Sequence, residues 1–485
     1  MNRILLFAAL AALFSCGTCP PPEPFGVCPT PAQVNWQRQE LIMFYHFGQA
    51  TFSGADGANA LCQGKPWSEE LLVENYQPEG LDPAQWVSVA TENGFKEVIL
   101  TAKHHDGFCL WDNPESTADV AHPLCRNQLD IVAALRHACD SLGIQLGIYL
   151  SPWDRTIEAA GLDTGTYEQM YLRAVKDLMR RYAPVNEFWI DGNHAAAFDW
   201  PAVHRAVLEE NPDCIIFSDA GPGCRWVGNE RGQAGETNWS TLNAAERGLA
   251  PGQAPGDYAS YLASGDCGGS AWIPAECDFS IQDISDPDGW FYDPTDRVKS
   301  GRELMDIYYA SVGRNGVFLM NVPPSRQGRL ADAEVAAIRE FTRIREAVFR
   351  ESLARGAKLS ASAVRGRRFG PERLLDGNYD SYYAAPDGVT DPTLEIELDG
   401  EKTFNRLLLQ EYIPLGQRVA AFSVSYRSPQ GLWLPWAEAT TIGHKRILLG
   451  PQVTTDALRI QITRSLAPPL LNTLGLYLDP QPTAK

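Results

Sequence analysis

Between residues 41 and 320 the chain alternates short apolar runs with stretches in which apolar residues recur every three or four positions. Leu41-Ile42-Met43-Phe44-Tyr45-His46, Glu97-Val98-Ile99-Leu100-Thr101, Gln145-Leu146-Gly147-Ile148-Tyr149-Leu150, Glu187-Phe188-Trp189-Ile190, Cys214-Ile215-Ile216-Phe217-Ser218 and Gly316-Val317-Phe318-Leu319-Met320 read as strands. Between them, a helix opens at Pro83, residues 130–142 gather Ile131, Val132, Leu135 and Ala138 on one helical face, and residues 167–182 and 201–210 are further helices. Strand, helix, strand, repeated in this way, predicts a parallel barrel of the (β/α)8 kind over residues 34–349, closed by a helix over 331–349. Beyond it the pattern changes. Leu374 to Asn378, Leu394 to Leu398, Arg406 to Glu411 and Phe422 to Tyr426 are short alternating runs at regular spacing, and they predict an all-β sandwich over 350–485.

Barrel enzymes keep their chemistry where the strands end, and the strand ends here carry His46, then His104-His105-Asp106, Tyr149 with Trp153 beyond it, and Asp191 followed by Gly192. Each histidine taken singly is most simply a hydrogen-bonded structural residue, and Asp191 a helix cap. Three of the eight histidines at such positions, converging with an acid on one mouth, point instead to a binding cleft. Neighbouring side chains on an extended segment face opposite ways, so His104 and His105 make an awkward pair of metal ligands, and neither a metal nor any other cofactor is expected. Histidines and hydroxyls do suit the clamping of a sugar. Retaining glycoside hydrolysis needs two carboxyl groups, one ionised as nucleophile and one protonated as acid. Asp191 is the natural nucleophile. Its partner is sought on the later glycine-rich loops, where Glu230, Glu236 and Glu276 are not separated by chemistry alone.

With 485 residues, 44% hydrophobic and 21% charged, the chain has ample core for a large barrel and a second module. A formal net charge of −19 argues against nucleic acid as a partner and leaves a neutral glycan unaffected. Thirteen Trp, 17 Tyr and 19 Phe include enough aromatic faces for the C–H faces of sugars, although most must be core. Residues 1–16 have the basic start and short apolar run of a secretory signal, so an exported protein of the bacterial periplasm or outer membrane is expected. Leu13-Phe14-Ser15-Cys16 resembles a lipobox, in which the cysteine carries lipid; bulky Phe14 keeps ordinary cleavage nearby as the alternative. Residues 17–33, with Pro20-Pro21-Pro22, then read as a tether, and a lipid there is the expected contact with a membrane. Of eleven cysteines ten remain if Cys16 is lipidated, and Cys19/Cys28, Cys109/Cys125 and Cys214/Cys224 are the pairs that proximity in sequence favours.

Several motifs carry a resemblance: Tyr45-His46-Phe47-Gly48, Lys103-His104-His105-Asp106-Gly107-Phe108, Tyr149-Leu150-Ser151-Pro152-Trp153-Asp154, Phe188-Trp189-Ile190-Asp191-Gly192 and Ser311-Val312-Gly313-Arg314-Asn315-Gly316. Together they resemble the α-L-fucosidases of glycoside hydrolase family 29. Arg225-Trp226-Val227-Gly228-Asn229-Glu230 and Trp290-Phe291-Tyr292 are similar to its branch acting on α-1,3/1,4-linked fucose. The resemblance implies an exo-acting retaining enzyme for fucosylated oligosaccharides, with Asp191 as nucleophile. It implies that His46, His104, His105, Tyr149 and Arg225 hold the sugar and that Trp290 offers it an aromatic face. The family's usual place for the acid/base, after the arginine on the same loop, favours Glu236, with Glu230 next and Glu276 third. That branch generally carries a Glu-Trp-Gly element after the first-strand histidine. Residues 52–58 read Phe-Ser-Gly-Ala-Asp-Gly-Ala instead, with Trp67 or Glu69 as substitutes from another loop. The tail resembles discoidin-like carbohydrate-binding modules of family 32, except that Tyr382-Tyr383 stand where a tryptophan is usual, and a buttress for the barrel is expected of it. Two alternatives stand beside the fucosidase: a glycan-binding protein without turnover, and a retaining hydrolase of a sugar of matching configuration such as galactose.

Overall fold

The computed structural model describes residues 19–53, 69–191, 197–218, 221–243, 258–283 and 290–481. The signal sequence, Cys16, Trp67 and most of the stretch lacking Glu-Trp-Gly lie outside the described residues. The strands of the first domain are β1 (Leu41–Tyr45), β2 (Glu97–Lys103), β3 (Gln145–Leu150), β4 (Glu187–Trp189), β5 (Ile215–Ser218), β6 (Cys224–Trp226), the ribbon pair β7 (Thr241–Leu242) and β8 (Ala271–Trp272), β9 (Ala275–Ser280) and β10 (Gly316–Asn321). All but the ribbon close a parallel barrel in the order β1-β10-β9-β6-β5-β4-β3-β2. The connecting helices are amphipathic and capped. Asp130 accepts the Ala133 N–H at the start of helix Ile131–Leu142, and Gly143 ends it in the left-handed conformation. Ile131, Val132, Leu135, Ala138 and Cys139 form its buried face.

Two barrel strands were not legible as strands. β6 is three residues long, and β9 (Ala-Glu-Cys-Asp-Phe-Ser) inverts the usual pattern by turning its polar residues into the barrel. Glu276 therefore sits on a strand, fully buried, and not on a mobile loop. Apolar side chains from Ile42, Phe44, Ile99, Trp189, Phe217 and Leu319 fill the rest of the interior.

The floor of the barrel is acidic. Glu97, Glu187 and Glu276 are all wholly buried, beside the Cys224 thiol, 3.6 Å from Glu187 Oε1. Helix Pro31–Gln39 seals this end, its Trp36 indole donating to Glu187 Oε2 at 2.6 Å, while Asn186 donates to Glu97 Oε2 at 2.6 Å. Burial raises all three carboxyls. For Glu97 the bond from Asn186 pulls the other way, repulsion from Glu276 adds to the rise, and the result is about 8. Burial, and then repulsion from Glu97, push Glu187 well above the carboxylate range, and burial, then repulsion from Glu187, do the same to Glu276.

The second domain is an antiparallel β-sandwich built from β11 (Lys358–Ala361), β12 (Tyr383–Ala384), β13 (Thr393–Glu411), β14 (Val419–Arg427), β15 (Trp433–Ala439), β16 (Arg446–Ser465) and β17 (Leu470–Tyr477). β13 and β16 pair along most of their length, with register shifts that bend the sheet around Leu394, Ile396, Phe404, Phe422, Ile460 and Leu476. Leu374 and Leu375, expected in an extended run, end a 3-10 turn that begins at Pro371.

The sandwich abuts the barrel's amino-terminal side, away from the mouth. Glu40, one residue before β1, pairs with Lys445 and lies 3.3 Å from His444. Asn315, one residue before β10, bonds through its N–H to Lys445 O, and Asn238 N–H reaches Thr441 Oγ1 at 2.9 Å. Residues 19–29, read as a tether, pack on the sandwich instead. Their carbonyls, unused within an irregular proline-rich stretch, accept from Arg365 at Pro20 and from Arg418 at Glu23. All nine described cysteines are unbridged, including the three pairs that proximity favoured: Cys109 turns its thiol to Gly107 O and Cys224 to the floor acids.

The floor has a thermodynamic signature. A carboxyl neutral when folded and ionised when unfolded loses stability as pH rises from its ordinary value of 4.5 to its folded value of about 8. Glu97→Gln removes that penalty while still accepting from Asn186. Its stability relative to the native chain is expected to rise across this window, by up to about 1.4 kcal/mol per pH unit. Denaturant unfolding at several pH values measures this, and a difference that stays constant with pH contradicts it.

Candidate active site

Asp191 emerges two residues beyond the end of β4, where Tyr149 and Trp189 make the last pairing with β3. Its carboxylate is partly open, with 38% of the side chain exposed. Tyr149, from β3, donates its hydroxyl to Asp191 Oδ2 at 2.9 Å, and His105 Nε2 stands 3.5 Å from the same oxygen. Burial, then the neighbouring His104, His46, Lys103 and Arg155, hold His105 far below the ordinary histidine range. The ring is neutral, and its approach to Asp191 is not an ion pair.

The hydrogen-bond network assigns the protons. Ser151 donates to Trp153 O at 2.9 Å, so its oxygen accepts from His105 Nδ1 at 2.7 Å. Asn321, the last residue of β10, donates its amide to Trp290 O at 2.8 Å and to Ser280 Oγ at 3.1 Å, so its carbonyl accepts from His46 Nδ1 at 2.9 Å. Each ring thus carries its proton on Nδ1 and presents an Nε2 lone pair, a group suited to accept from a hydroxyl. Burial, and then His104, hold His46 well below its ordinary range as well.

Aromatic rings complete the wall. His104 lies stacked on Tyr149 with centroids 5.5 Å apart, Trp290 is 5.2 Å from His46, and Phe291 stands edge-on to both His46 and His104. Trp153 is 4.9 Å from His105 and is fixed by a bond from its indole to Glu158. The structure therefore brings His46, His104, His105, Tyr149, Trp153, Asp191 and Trp290 together at one mouth. Asn321, Ser151 and Phe291 join them; Asn321 was detectable only as the polar residue following an apolar run.

Arg225, Glu236 and Glu276 are not brought there. In β6 the side chains of Cys224 and Trp226 face inward, so Arg225 between them points out of the barrel. Its wholly buried guanidinium is taken up by Leu262 O, Ile273 O, Asn238 Oδ1 and Trp239 O. Glu236 lies at the seam with the sandwich, paired with Arg314 and with Arg446, on the amino-terminal side of β10. An acid on that side cannot reach a bond broken at the mouth. Glu276 is sealed in the barrel floor, accepting from the Trp189 indole at 2.7 Å. Glu230 is placed differently: it is exposed, four residues past the end of β6, and neighbouring Arg231 bridges to Phe279 near the carboxyl end of β9. Burial, then the charge of Glu230, raise Asp278, which accepts from the Trp226 indole at 3.0 Å.

Donor atoms of His104, His105 and Asp191 lie within 4.8 Å of one another. The Nδ1 of His105 is committed to Ser151 and Asp191 accepts from Tyr149, an arrangement matched to neighbouring hydroxyls of a sugar ring.

A family model described as alpha-L-fucosidase matches residues 31–344, and one for the F5/8 type C domain matches 358–470. The chain belongs to the α-L-fucosidase family, glycoside hydrolase family 29. Alpha-L-fucosidase 1 of Arabidopsis thaliana is 35% identical over 471 residues, covering 94% of this chain and 89% of that protein. A putative alpha-L-fucosidase 1 of rice, Oryza sativa subsp. japonica, is 37% identical, over 96% and 88%. Among solved structures, a putative alpha-L-fucosidase from Bacteroides thetaiotaomicron superposes with a TM-score of 0.86 at 34% identity, covering 94% of this chain and 99% of that one. A Ruminococcus gnavus GH29 fucosidase in complex with fucose gives 0.85 at 27%, covering 97% and 98%. This fucosidase-family chain is accordingly a hydrolase with the retaining glycosidase activity of its family on fucosylated glycans, and its tail is the discoidin-like domain expected.

Tyr149→Phe keeps the stacked ring and removes the hydroxyl from Asp191. Losing one hydrogen bond to a charged group is expected to lower kcat on an aryl α-L-fucoside by about 10–100-fold and to move the acid limb of the pH profile upward. An unchanged kcat and profile would show that the bond does not serve the reaction.

Proposed function

We propose that the protein is an exo-acting α-L-fucosidase that removes terminal α-1,3/1,4-linked fucose with retention, Asp191 being the nucleophile and Glu230 the acid/base. The observation that carries this reading is the Asp191 carboxylate, open at the mouth, held by the Tyr149 hydroxyl and walled by neutral histidines. In the first step an Asp191 oxygen bonds to the anomeric carbon as the glycosidic C–O bond breaks, and Glu230 gives its proton to the departing oxygen. In the second, Glu230 takes a proton from water, the water oxygen bonds to the anomeric carbon, and the Asp191 ester bond breaks to release fucose. Neutral His46 and His105 accept from sugar hydroxyls, His104 with Tyr149 shapes the wall, and Trp290 supplies an aromatic face. Glu230 is favoured by its position past β6, on the mouth side of the barrel, and by its exposure to solvent. The linkage preference rests on the segments 225–230 and 290–292, and export, with lipid on Cys16, on the pattern of residues 1–16.

Asp191→Asn is expected to abolish turnover. Glu230→Gln is expected to lose activity on fucosylated trisaccharides by about 100-fold or more while sparing aryl fucosides with good leaving groups, and Glu236→Gln to stay within about threefold of the native enzyme. Steady-state kinetics on both substrate types decides the roles, since a leaving-group-dependent defect in Glu236→Gln would reverse them. A panel of α-1,2-, α-1,3- and α-1,4-linked fucosides tests linkage, and preferred release from the α-1,2 member would overturn the preference.

A further inference from the structure

Three carboxyls on a barrel floor, with no cation among the described residues acting on them, demand an explanation beyond packing. Glu276 is the member that reaches upward. One oxygen, Oε2, accepts from the Trp189 indole at 2.7 Å. The other, Oε1, has no ordinary donor among its neighbours and faces the Glu187 carboxyl, whose own oxygens take the Trp36 indole and face the Cys224 thiol. Trp189 in turn lies flat on Phe217, centroids 3.6 Å apart and 6° from parallel, and on Tyr149 at 5.6 Å and 24°. Tyr149 is the ring whose hydroxyl binds Asp191. A continuous file of contacts therefore leads from the sealed floor to the carboxylate at the mouth.

We propose that Glu276 is a positioning residue for the nucleophile: its carboxyl clamps the Trp189 indole, Trp189 sets the plane of Tyr149, and Tyr149 holds Asp191 Oδ2 in line for attack. The inference rests on Asp191 being the nucleophile.

The clamp works with a neutral acid. Around Glu276 stand Glu187 from β4, Glu97 from β2, Cys224 from β6 and Asp278 two residues along β9, all acidic, so an ionised Glu276 would meet both burial and like charge. Protonated, it gives its O–H toward Glu187 and keeps Oε2 as the acceptor for Trp189. Glutamine reproduces both ends, with an amide N–H toward Glu187 and a carbonyl toward the indole. Methionine fills the same volume and leaves the indole N–H without an acceptor in a dry interior.

Kinetics of Glu276→Gln, Glu276→Met and Trp189→Phe on an aryl α-L-fucoside, each with a full pH profile, test this. Glu276→Gln is expected to keep kcat within about threefold of the native value, and Glu276→Met to lower kcat by about 10–100-fold with little change in KM and an acid limb moved to higher pH. Trp189→Phe, which removes the indole N–H together with part of the ring stacked on Phe217 and Tyr149, is expected to reproduce that shift even if the methionine variant does not fold. A glutamine variant as impaired as the methionine one would overturn the proposal, as would a pH profile unmoved in both Glu276→Met and Trp189→Phe. Metal analysis of the same preparations adds a third overturning result: a stoichiometric divalent ion lost in Glu276→Gln would mean that the floor acids bind a cation and not protons. Asp191→Asn in the same series separates the two claims. Turnover surviving it sinks the nucleophile assignment, whereas dependence on Asp191 with insensitivity to the Glu276–Trp189 bond sinks only this one.

Discussion

The bond from the Tyr149 hydroxyl to Asp191 is where the interior of this barrel meets the carboxylate proposed as its nucleophile. A nucleophilic carboxylate must be ionised, aimed and reachable, and those needs conflict, because free solvation blurs its aim and burial neutralises it. The structure resolves the conflict by leaving the carboxylate open on one side while a rigid phenol, stacked between Trp189 and His104, supplies a directed donor on the other. Burial and the neighbouring histidines hold His46 and His105 below the ordinary histidine range, and for His105 the charges of Lys103 and Arg155 add to this. A neutral wall reads hydroxyl groups and does not attract ions, which agrees with an uncharged sugar as the ligand of a protein whose formal charge is −19.

Much of this was legible in the sequence, for identifiable reasons. Strands buried on both faces leave continuous apolar runs, and the polar residues closing those runs are the ones a parallel barrel turns to its mouth. His46, Tyr149 and Asp191 were found on that basis alone. β6 and β9 escaped because one is three residues long and the other turns acids inward, where a strand is read by its apolar positions. Arg225 was misplaced by parity: in a strand a shift of one residue exchanges the inside for the outside. Glu236 was misplaced because position along a loop does not say to which end of the barrel the loop returns, and its two arginine partners are distant in sequence. Hydrogen-bond partners such as Asn321 and Ser151 carry no signal beyond a polar residue near a strand end.

The sandwich completes the argument from the opposite side. Its contacts with Glu40 and Asn315 fall just before β1 and β10, and Asn238, which it also touches, is bonded to Arg314 O and Asn315 O, so it braces the sealed end and leaves the mouth unobstructed. Tyr382, standing where related modules carry a tryptophan, stacks on Tyr412 at 4.2 Å, its ring taken up inside the domain. A tail that stiffens the floor also stiffens the strand starts that carry Glu97, Glu187 and Glu276.

The central claim is that Asp191 forms a covalent bond to the sugar. Incubation with a 2-deoxy-2-fluoro fucosyl fluoride, followed by peptide mass spectrometry, tests it most directly, because the fluorine slows breakdown of the intermediate. A single fluorofucosyl adduct on the peptide at Asp191 is expected. An adduct on another carboxylate, or none despite time-dependent inactivation, would contradict it.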